Sequence, residues 1–369
     1  MQWILAIPFL RDEGGGWITG HVEGSARFTA APAPYDHDRS RAVTGASEWA
    51  DYLRHAWQAW RLVRAAPRGE AGIMTGFPQL AVTAALLKLV LRRPDVPLVA
   101  WCFNLGRTPG GWKGRLARRV LGQVDVFVVH SRREVALYAA WLGLPAGRFV
   151  FVPLSIHDEP REAHEDEAAP FVLAMGSANR DYRTLAAAAG LLGVPTVIVA
   201  GPHAVAGLTL PANVTVMSGL GIDACHELCA RARVNVVPLR NTAFTSGQVT
   251  VLEAMMLGKP VVATRAAGTE DYVVEGRNGL LVPPENPVAL AAGIAALWDD
   301  AALRARLGAG ARRTVAEGTT FRAVAPAMAA VLEQARMAAR DAGMAAARGR
   351  TGRATEDGTG ANQRRRPAR

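Results

Sequence analysis

The sequence is poor in cysteine, in aromatic residues and in long apolar runs. Three cysteines among 369 residues, with no paired CxxC spacing, argue against a disulfide framework and a structural zinc site. The longest apolar helix candidate, residues 79–91, contains Lys88 and falls short of the about 20 residues that span a bilayer. The apolar run before Arg11 lacks a basic leader and a cleavage site, so we interpret it as a first strand. We therefore expect a globular, cytoplasmic protein.

Acidic residues are too few to balance the basic ones, and the imbalance is local. The formal net charge is +10. Residues 1–155 carry 19 basic and 11 acidic residues, residues 156–340 carry 16 and 18, and residues 341–369 carry 7 and 3. A basic first half can meet nucleic acid, anionic lipid or an anionic small molecule, and the charge alone does not choose between them.

Short β-branched runs alternate with helical stretches along the chain, which predicts α/β domains with parallel sheets. We predict an N-terminal Rossmann-like domain over 1–155, an acidic linker over 156–169 and a second Rossmann-like domain over 170–318. A C-terminal helix over 319–340 that packs back across a domain and a disordered basic tail over 341–369 complete the prediction. Ligands of such sheets bind at the carboxyl ends of the strands, which directs attention to the cleft between the domains.

The segment after Thr245 combines a helix N-cap, a helix and a strand. Ser246 and Gly247 suit the N-cap, VTVLEAMML predicts a helix, and Gly258 ends it before the strand PVVAT. The free N–H groups and positive dipole end of such a helix suit a diphosphate. Glu253, about one turn further in, could accept hydrogen bonds from ribose hydroxyls. This geometry predicts a nucleoside diphosphate, although for Glu253 alone an ordinary structural role stays equally open.

The wider motif resembles a known family. LEAMMLGKPVVAT and AAGTEDYVVEGRNGLLVPPENPVAL are similar to the nucleotide-binding half of glycosyltransferase family 4, retaining sugar transferases of the GT-B fold. The matching residues are Glu253, Ala254, Gly258, Lys259, Pro260, Glu270, Gly276, Gly279, Leu281, Val282 and Pro284. Ala266 and Ala267 stand where the family prefers two glycines. The resemblance implies two Rossmann-like domains whose sheets face each other across a cleft.

The resemblance also implies a set of donor-binding residues. Arg180 and Arg183 take the place of the family's basic contacts to the diphosphate, and an arginine can grip phosphate oxygens with two parallel N–H bonds. Gly219 and Leu220 fall beside the nucleobase, and the loop DEGGGW matches the glycine loop of the first domain. The implied donor-binding residues are Gly15, Gly16, Arg180, Arg183, Gly219, Leu220, Ser246, Gly247, Gln248, Val249, Thr250 and Glu253.

Two departures from the family pattern fall at the reacting centre. Thr245 stands where the family has the first of two acidic residues, and Asn104 lies in the loop that often holds a histidine. We assign both to catalysis by position. The family transfers sugar without a metal, and so we expect no metal and no cofactor. Asp36 and Asp38 have the spacing of a DxD metal motif but lie in a proline-rich loop, where solvated side chains are the favoured interpretation.

The resemblance thus predicts a retaining glycosyltransferase. Its substrates would be a nucleoside diphosphate sugar and a glycan or lipid-linked acceptor. The expected role is in bacterial surface polysaccharide assembly. A catalytically weak sugar-nucleotide-binding scaffold or sensor is the alternative, and a nucleic-acid-binding protein is a third hypothesis that lacks a base-reading module. The segment WKGRLARRVLG, from Trp112, predicts a short basic amphipathic helix. Such a helix either binds an anionic membrane surface peripherally or packs its apolar stripe on the sheet.

Overall fold

The protein consists of two parallel α/β domains, as a computed structural model shows for residues 1–10, 16–35, 45–158, 163–240 and 244–362. Side chains are described as far as Arg348. Strands of the first sheet are β1 (Gln2–Ala6), β2 (Arg27–Ala30), β3 (Ala71–Gly76), β4 (Leu98–Trp101), β5 (Val126–Val129) and β6 (Phe149–Phe151). Its helices are α1 (Ala46–Ala65), α2 (Pro78–Val90), α3 (Gly111–Leu121) and α4 (Arg132–Leu142). The strand order is β2-β1-β3-β4-β5-β6, with every pair parallel.

The second domain repeats this plan. Its strands are β7 (Val172–Met175), β8 (Thr196–Val199), β9 (Val214–Met217), β10 (Val234–Val237), β11 (Val261–Thr264) and β12 (Gly279–Val282), in the order β12-β11-β10-β7-β8-β9. Its helices are α5 (Tyr182–Leu192), α6 (Pro202–Val205), α7 (Ile222–Arg231), α8 (Gln248–Met256), α9 (Pro287–Asp299) and α10 (Ala301–Gly318). All its strand pairs are parallel. The predicted arrangement of two α/β domains with parallel sheets is confirmed.

Both sheets are covered on both faces, which explains their uninterrupted apolar strands. Side chains alternate between the faces of a strand, so Ile4 and Ala6 contact the layer of α1 to α4. Trp3 and Leu5 point the other way, into a second core cluster. The same alternation divides the strands of the second sheet between two clusters.

The last helix, α11 (Phe321–Asn362), returns to the first domain. Its buried side chains pack on the face of the first sheet that carries Trp3 and Leu5; they are Val324, Ala325, Met328, Val331, Leu332 and Ala335. The sequence predicts a disordered tail from residue 341, whereas the helix continues to Asn362. Residues 345–348 are three alanines and an arginine, which favour helix and extend it beyond residue 341. Residues 363–369 lie outside the described part.

The described part of the acidic linker lies against the second domain. Glu165 pairs with Arg233 and Arg304, and Asp166 pairs with Arg231. The charges of Glu165 and Asp166 are therefore neutralised within the molecule. Among the helices in the described ranges, none combines the length and the apolar character that crossing a bilayer requires.

Candidate functional site

The two residues assigned to catalysis meet in the cleft. Asn104 follows β4 in the first domain, and Thr245 precedes α8 in the second. The side-chain nitrogen Nδ2 of Asn104 donates to the Thr245 hydroxyl at 2.8 Å and to its carbonyl oxygen at 3.0 Å. Thr245 is buried, with 6% of its surface exposed. A residue pair that the sequence assigns to one site is thus in direct contact, 141 positions apart in the chain.

A carboxyl group that sequence reasoning missed completes this contact. The Thr245 hydroxyl donates to Oε1 of Glu134 at 3.0 Å, and its backbone N–H donates to the same oxygen at 3.4 Å. Glu134 lies in the first turn of α4 and is fully buried, and this burial raises its pKa to about 7. Its Oε2 has no hydrogen-bond partner among the residues that the structure describes. Thr245 is therefore held between two side chains of the opposite domain.

The sequence gives a misleading signal at Glu134. Ser131 and Glu134 have the S-x-x-E spacing of a capping box, in which the glutamate folds back on its own helix end. In the structure the Ser131 side chain accepts from the Arg133 N–H, while Glu134 reaches Thr245 in the other domain. No local pattern indicates a partner 111 positions away.

Arg180 lies under the loop that follows β7. Its guanidinium donates to the carbonyl oxygens of Met175 and Ala178 and, at 3.0 Å, to the hydroxyl of Thr250 on α8. It packs against Gly176, whose φ of +105° and lack of a Cβ allow this approach. Burial lowers the pKa of Arg180, and none of the carboxylates in the described ranges pairs with it. The site thus contains a buried cation that lacks a protein anion.

The start of α8 lies beside this cation. Gly247 is the N-cap residue with φ +79°, and a Cβ there would come within 2.9 Å of Val237. Gly247 has no side chain with which to cap the helix, and the Ser246 hydroxyl accepts from Nδ2 of Asn179. The first-turn N–H groups and the positive end of the helix dipole are therefore without a carboxylate partner among the described residues.

Two further predicted residues near α8 differ in their surroundings. Gln248 is buried, and its amide donates to the backbone carbonyl of His130 in the first domain at 2.6 Å. The Gln248 side chain thus contacts the opposite domain, while the Gln248 backbone forms the first residue of α8. Val249 is 47% exposed beside it.

Glu253 lies one turn further along α8, facing α7. Its Oε1 is 3.5 Å from Nε2 of His226, and its side chain is 19% exposed. Gly219 and Leu220 lie between β9 and α7, Gly219 in the left-handed conformation with φ +72° and Leu220 partly packed against the core. The structure thus places Glu253 and the predicted nucleobase segment on adjoining elements, α8 and the approach to α7.

Arg183 lies apart from Arg180. It is exposed in the first turn of α5 and lines a cavity of about 540 Å³ together with His203, Arg240 and Glu285. The structure therefore does not bring the two arginines together at one buried point. Of these two arginines, Arg180 is the one that contacts α8.

The glycine loop of the first domain is described only in part. Gly15 lies outside the described residues, as do Asp36 and Asp38, while Gly16 is exposed with open space around its Cα. Within the described ranges, no group of three or more His, Cys, Asp or Glu side chains is arranged to hold a metal ion.

Several contacts besides Asn104 to Thr245 join the domains around the start of α4. The hydroxyl of Tyr272 donates to the His130 carbonyl at 2.8 Å and accepts from the Leu154 N–H at 2.8 Å. Arg133 pairs with Glu270, and the Arg132 N–H donates to Asp271 at 3.2 Å. The domains are thus in direct contact at the base of the cleft.

Comparisons with known proteins show which proteins this chain resembles. The family model described as Glycosyl transferases group 1 matches residues 169–300. An uncharacterised glycosyltransferase of Methanocaldococcus jannaschii is 44% identical over 73 residues, which is 20% of each chain. A D-inositol 3-phosphate glycosyltransferase of Jonesia denitrificans is 37% identical over 103 residues, covering 28% of this chain and 23% of the relative. The matches thus span about a fifth of the length of these curated relatives.

Solved structures match over a much larger part of the chain. Sucrose-phosphate synthase of Thermosynechococcus elongatus has a TM-score of 0.68 at 19% identity and covers 90% of this chain and 99% of its own. Anabaena HepE, solved in complex with UDP and glucose, has a TM-score of 0.63 at 14% identity with coverage of 90% and 99%. Residues 169–300 therefore match the glycosyl transferases group 1 model, in a chain that has the two-domain GT-B fold.

Proposed function

We propose that the protein is a retaining glycosyltransferase that moves a sugar from a nucleoside diphosphate sugar to a glycan or lipid-linked acceptor. The observation that carries this proposal is the buried Arg180 guanidinium beside the uncapped start of α8. Both groups supply positive charge that no described carboxylate neutralises. A diphosphate bound there would satisfy both. The Anabaena protein was solved with UDP and with UDP-glucose, which makes UDP-sugars the first donors to test.

The same groups would assist bond cleavage. When the bond between the sugar and the diphosphate breaks, negative charge develops on the leaving phosphate. N–H donors fixed in advance around that charge stabilise the transition state. Arg180 and the first-turn amides of α8 are held by Thr250, Met175 and the helix itself, so they need little rearrangement. This chemistry asks for no metal ion, and we propose that transfer is metal-independent.

The acceptor would enter from the first domain. Asn104 and Thr245 lie where the two domains touch, between the donor helix α8 and the carboxyl ends of the first sheet. We place the reacting sugar near this pair. We further propose a role in the assembly of bacterial surface polysaccharide, in which acceptors are glycans or lipid-linked.

A lipid-linked acceptor is supported by the outer surface of the first domain. Seven apolar side chains on α1, α2 and α3 are exposed to solvent; they are Trp49, Leu53, Trp57, Leu86, Val90, Trp112 and Leu116. On α3, Val120 and Leu121 pack in the core, whereas Trp112 and Leu116 are 65% and 53% exposed. Exposed lysine and arginine side chains of α3 surround these two residues. We propose that this basic helical face contacts an anionic membrane peripherally, on the cytoplasmic side.

Donor binding and turnover can be tested in one series. Thermal unfolding is measured with UDP-, GDP- and ADP-sugars, since a ligand at 100 times its dissociation constant stabilises a protein by about 2.7 kcal/mol. The stabilising donor is then incubated with candidate acceptors, with and without EDTA, and the anomeric configuration of the product is determined by NMR. We expect a retained configuration and full activity in EDTA. Stabilisation without product for every acceptor would favour the sugar-nucleotide-binding scaffold, and loss of activity in EDTA would overturn the metal-free mechanism.

A further inference from the structure

Glu134 carries a carboxyl group where the packing alone favours a neutral side chain. It is fully buried between the domains, and its Oε2 lacks a hydrogen-bond partner in the described part of the chain. A buried carboxylate with one oxygen unsatisfied destabilises the fold, so packing alone does not account for a charged group at this position. Strongly perturbed carboxyl groups in clefts are candidates for function. Glu134 therefore calls for a functional explanation.

Its contacts connect the first domain to the donor helix. Thr245 offers both its hydroxyl and its backbone N–H to Oε1 of Glu134. One residue earlier, Phe244 packs against the core of the first domain and against the ring of Tyr138, with centroids 6.3 Å apart. Two residues later, Gly247 starts α8. The segment from Phe244 to Gly247 is thus bound to the first domain at one end and continuous with the donor helix at the other.

We propose that Glu134 is a positioning residue for sugar transfer: through Thr245 it holds the segment 244–247, and with it the start of α8, against the first domain. This inference rests on the proposed function, because it gives Glu134 a part in placing the donor relative to the acceptor side. Glu134 acts through Thr245 and is assigned no contact with substrate.

The protonation state of Glu134 affects this contact. The ionised carboxylate is a stronger acceptor for the two Thr245 donors than the neutral acid is. The titratable groups around it are Tyr138 on the same helix and Asp271 and Tyr272 from the second domain. Burial is the main cause of its raised pKa of about 7, and the charge of Asp271 adds to it. We therefore expect the kcat/KM of transfer to increase as the pH rises from 6 to 8.

Two variants separate the hydrogen bond from the charge. Glu134→Gln keeps an oxygen acceptor for Thr245 and removes the titration, so we expect activity within about threefold at pH 7 and no inflection near pH 7. Glu134→Ala removes the acceptor, and we expect kcat/KM to fall roughly ten- to hundredfold, with the affinity for UDP changed much less. A pH profile that keeps its inflection in Glu134→Gln would overturn the assignment.

A double-mutant cycle tests whether the effect passes through Thr245. Glu134→Ala, Thr245→Val and the double variant are compared by kcat/KM and by hydrogen exchange of the backbone amides of 244–250. If Glu134 positions Thr245, the double variant loses less than the sum of the two single losses, and these amides exchange faster in all three. Fully additive losses would overturn the proposal. So would unchanged exchange in Glu134→Ala.

Controls keep the two proposals distinct. Arg133→Ala removes a neighbouring interdomain ion pair whose arginine is 64% exposed, and we expect less than a twofold change. Thermal melts show whether each variant is folded. The exchange measurement needs no substrate: faster exchange in Glu134→Ala, in a protein that no nucleotide sugar stabilises, would reject the proposed transfer while the positioning contact stands.

Discussion

The side chain of Asn104 donates a 2.8 Å hydrogen bond to the hydroxyl of Thr245 across the cleft between the two domains. Asn104 also accepts from the Gly106 N–H at 3.0 Å, which fixes the loop that carries it. One side chain thus connects a turn of the first domain to the segment before α8.

Replacing Asn104 should loosen the contact between the domains. Asn104→Asp keeps the acceptor for Gly106 and removes both donors to Thr245. At about 1 kcal/mol for each lost hydrogen bond, we expect kcat/KM to fall at least tenfold. Steady-state kinetics measure this loss, and small-angle scattering reports whether the domains separate. Wild-type kinetics in Asn104→Asp would remove Asn104 from the reacting centre.

Glu253 should determine nucleoside affinity. We expect Glu253→Gln and Glu253→Ala to weaken binding of the donor nucleotide by roughly tenfold or more, because a hydrogen bond to a charged group contributes about 1.5–3 kcal/mol. Calorimetric titration measures the affinity. The matched control is Glu227→Gln on α7, where the side chain is 56% exposed and lies near His164. Equal affinities in all of these proteins would show that Glu253 has only a structural role.

Arg180 should recognise the diphosphate and not the nucleoside. In Arg180→Met we expect the affinity for a nucleoside diphosphate to fall, while weak binding of the matching nucleoside is kept, because only the former presents negative charge. Retained nucleoside binding also shows that the variant is folded. Arg183→Ala, at an exposed position, should lose less. Parallel losses for both ligands in Arg180→Met would place this arginine outside the phosphate site.

The basic helical face should bind anionic vesicles. Flotation with phosphatidylglycerol liposomes at low salt should recover the protein, and the double variant Trp112→Ser with Leu116→Ser should reduce binding by about tenfold, since both side chains lose apolar surface. Leu191→Ser with Val288→Ser changes two equally exposed positions in the second domain and serves as the control. High salt should release the protein. Equal binding to neutral vesicles would contradict an electrostatic contact.

Acid should destabilise the first domain through two buried histidines. Burial lowers the pKa of His55 and of His130 to about 4. Because the unfolded chain takes up these protons near pH 6.5, their stabilising contribution is complete above that pH and is lost as the pH falls towards 4. The loss reaches about 3 kcal/mol for each group. Urea unfolding between pH 7 and 4 should show it, with a shallower pH dependence in His55→Gln, and an unchanged slope would contradict it.

The sequence predicts most of the fold because the strands are buried on both faces. Continuous apolar runs such as those of β5 and β10 are visible without any long-range information. The edge strands β2 and β12 were not predicted: β2 is partly exposed, and β12 follows a glycine-rich turn, so neither has the buried pattern along its whole length.

In the candidate site, too, features encoded by local sequence were predicted and features that depend on contacts between the domains were not. Gly247 and the helix start that it precedes were predicted because a cap, a helix and a strand follow one another within about 20 residues. Glu134 was not, because its role depends on the way two separate domains meet. The contact of Gln248 also depends on the way the domains meet. Gln248 was predicted to bind the donor, whereas its side-chain amide donates to the His130 carbonyl of the first domain.

The return of α11 to the first sheet has a consequence for biosynthesis. The apolar face formed by Trp3, Leu5 and Trp101 is covered partly by Trp17 and Ile18 and partly by the residues of α11 after Phe321. A ribosome adding about 5–20 residues per second needs on the order of 10–30 s to proceed from the end of β6 to that helix. During this interval the part of the hydrophobic layer that α11 covers is exposed to the cell. The nascent chain should therefore require a holding chaperone, and an N-terminal fragment ending at residue 155 should aggregate when it is expressed alone.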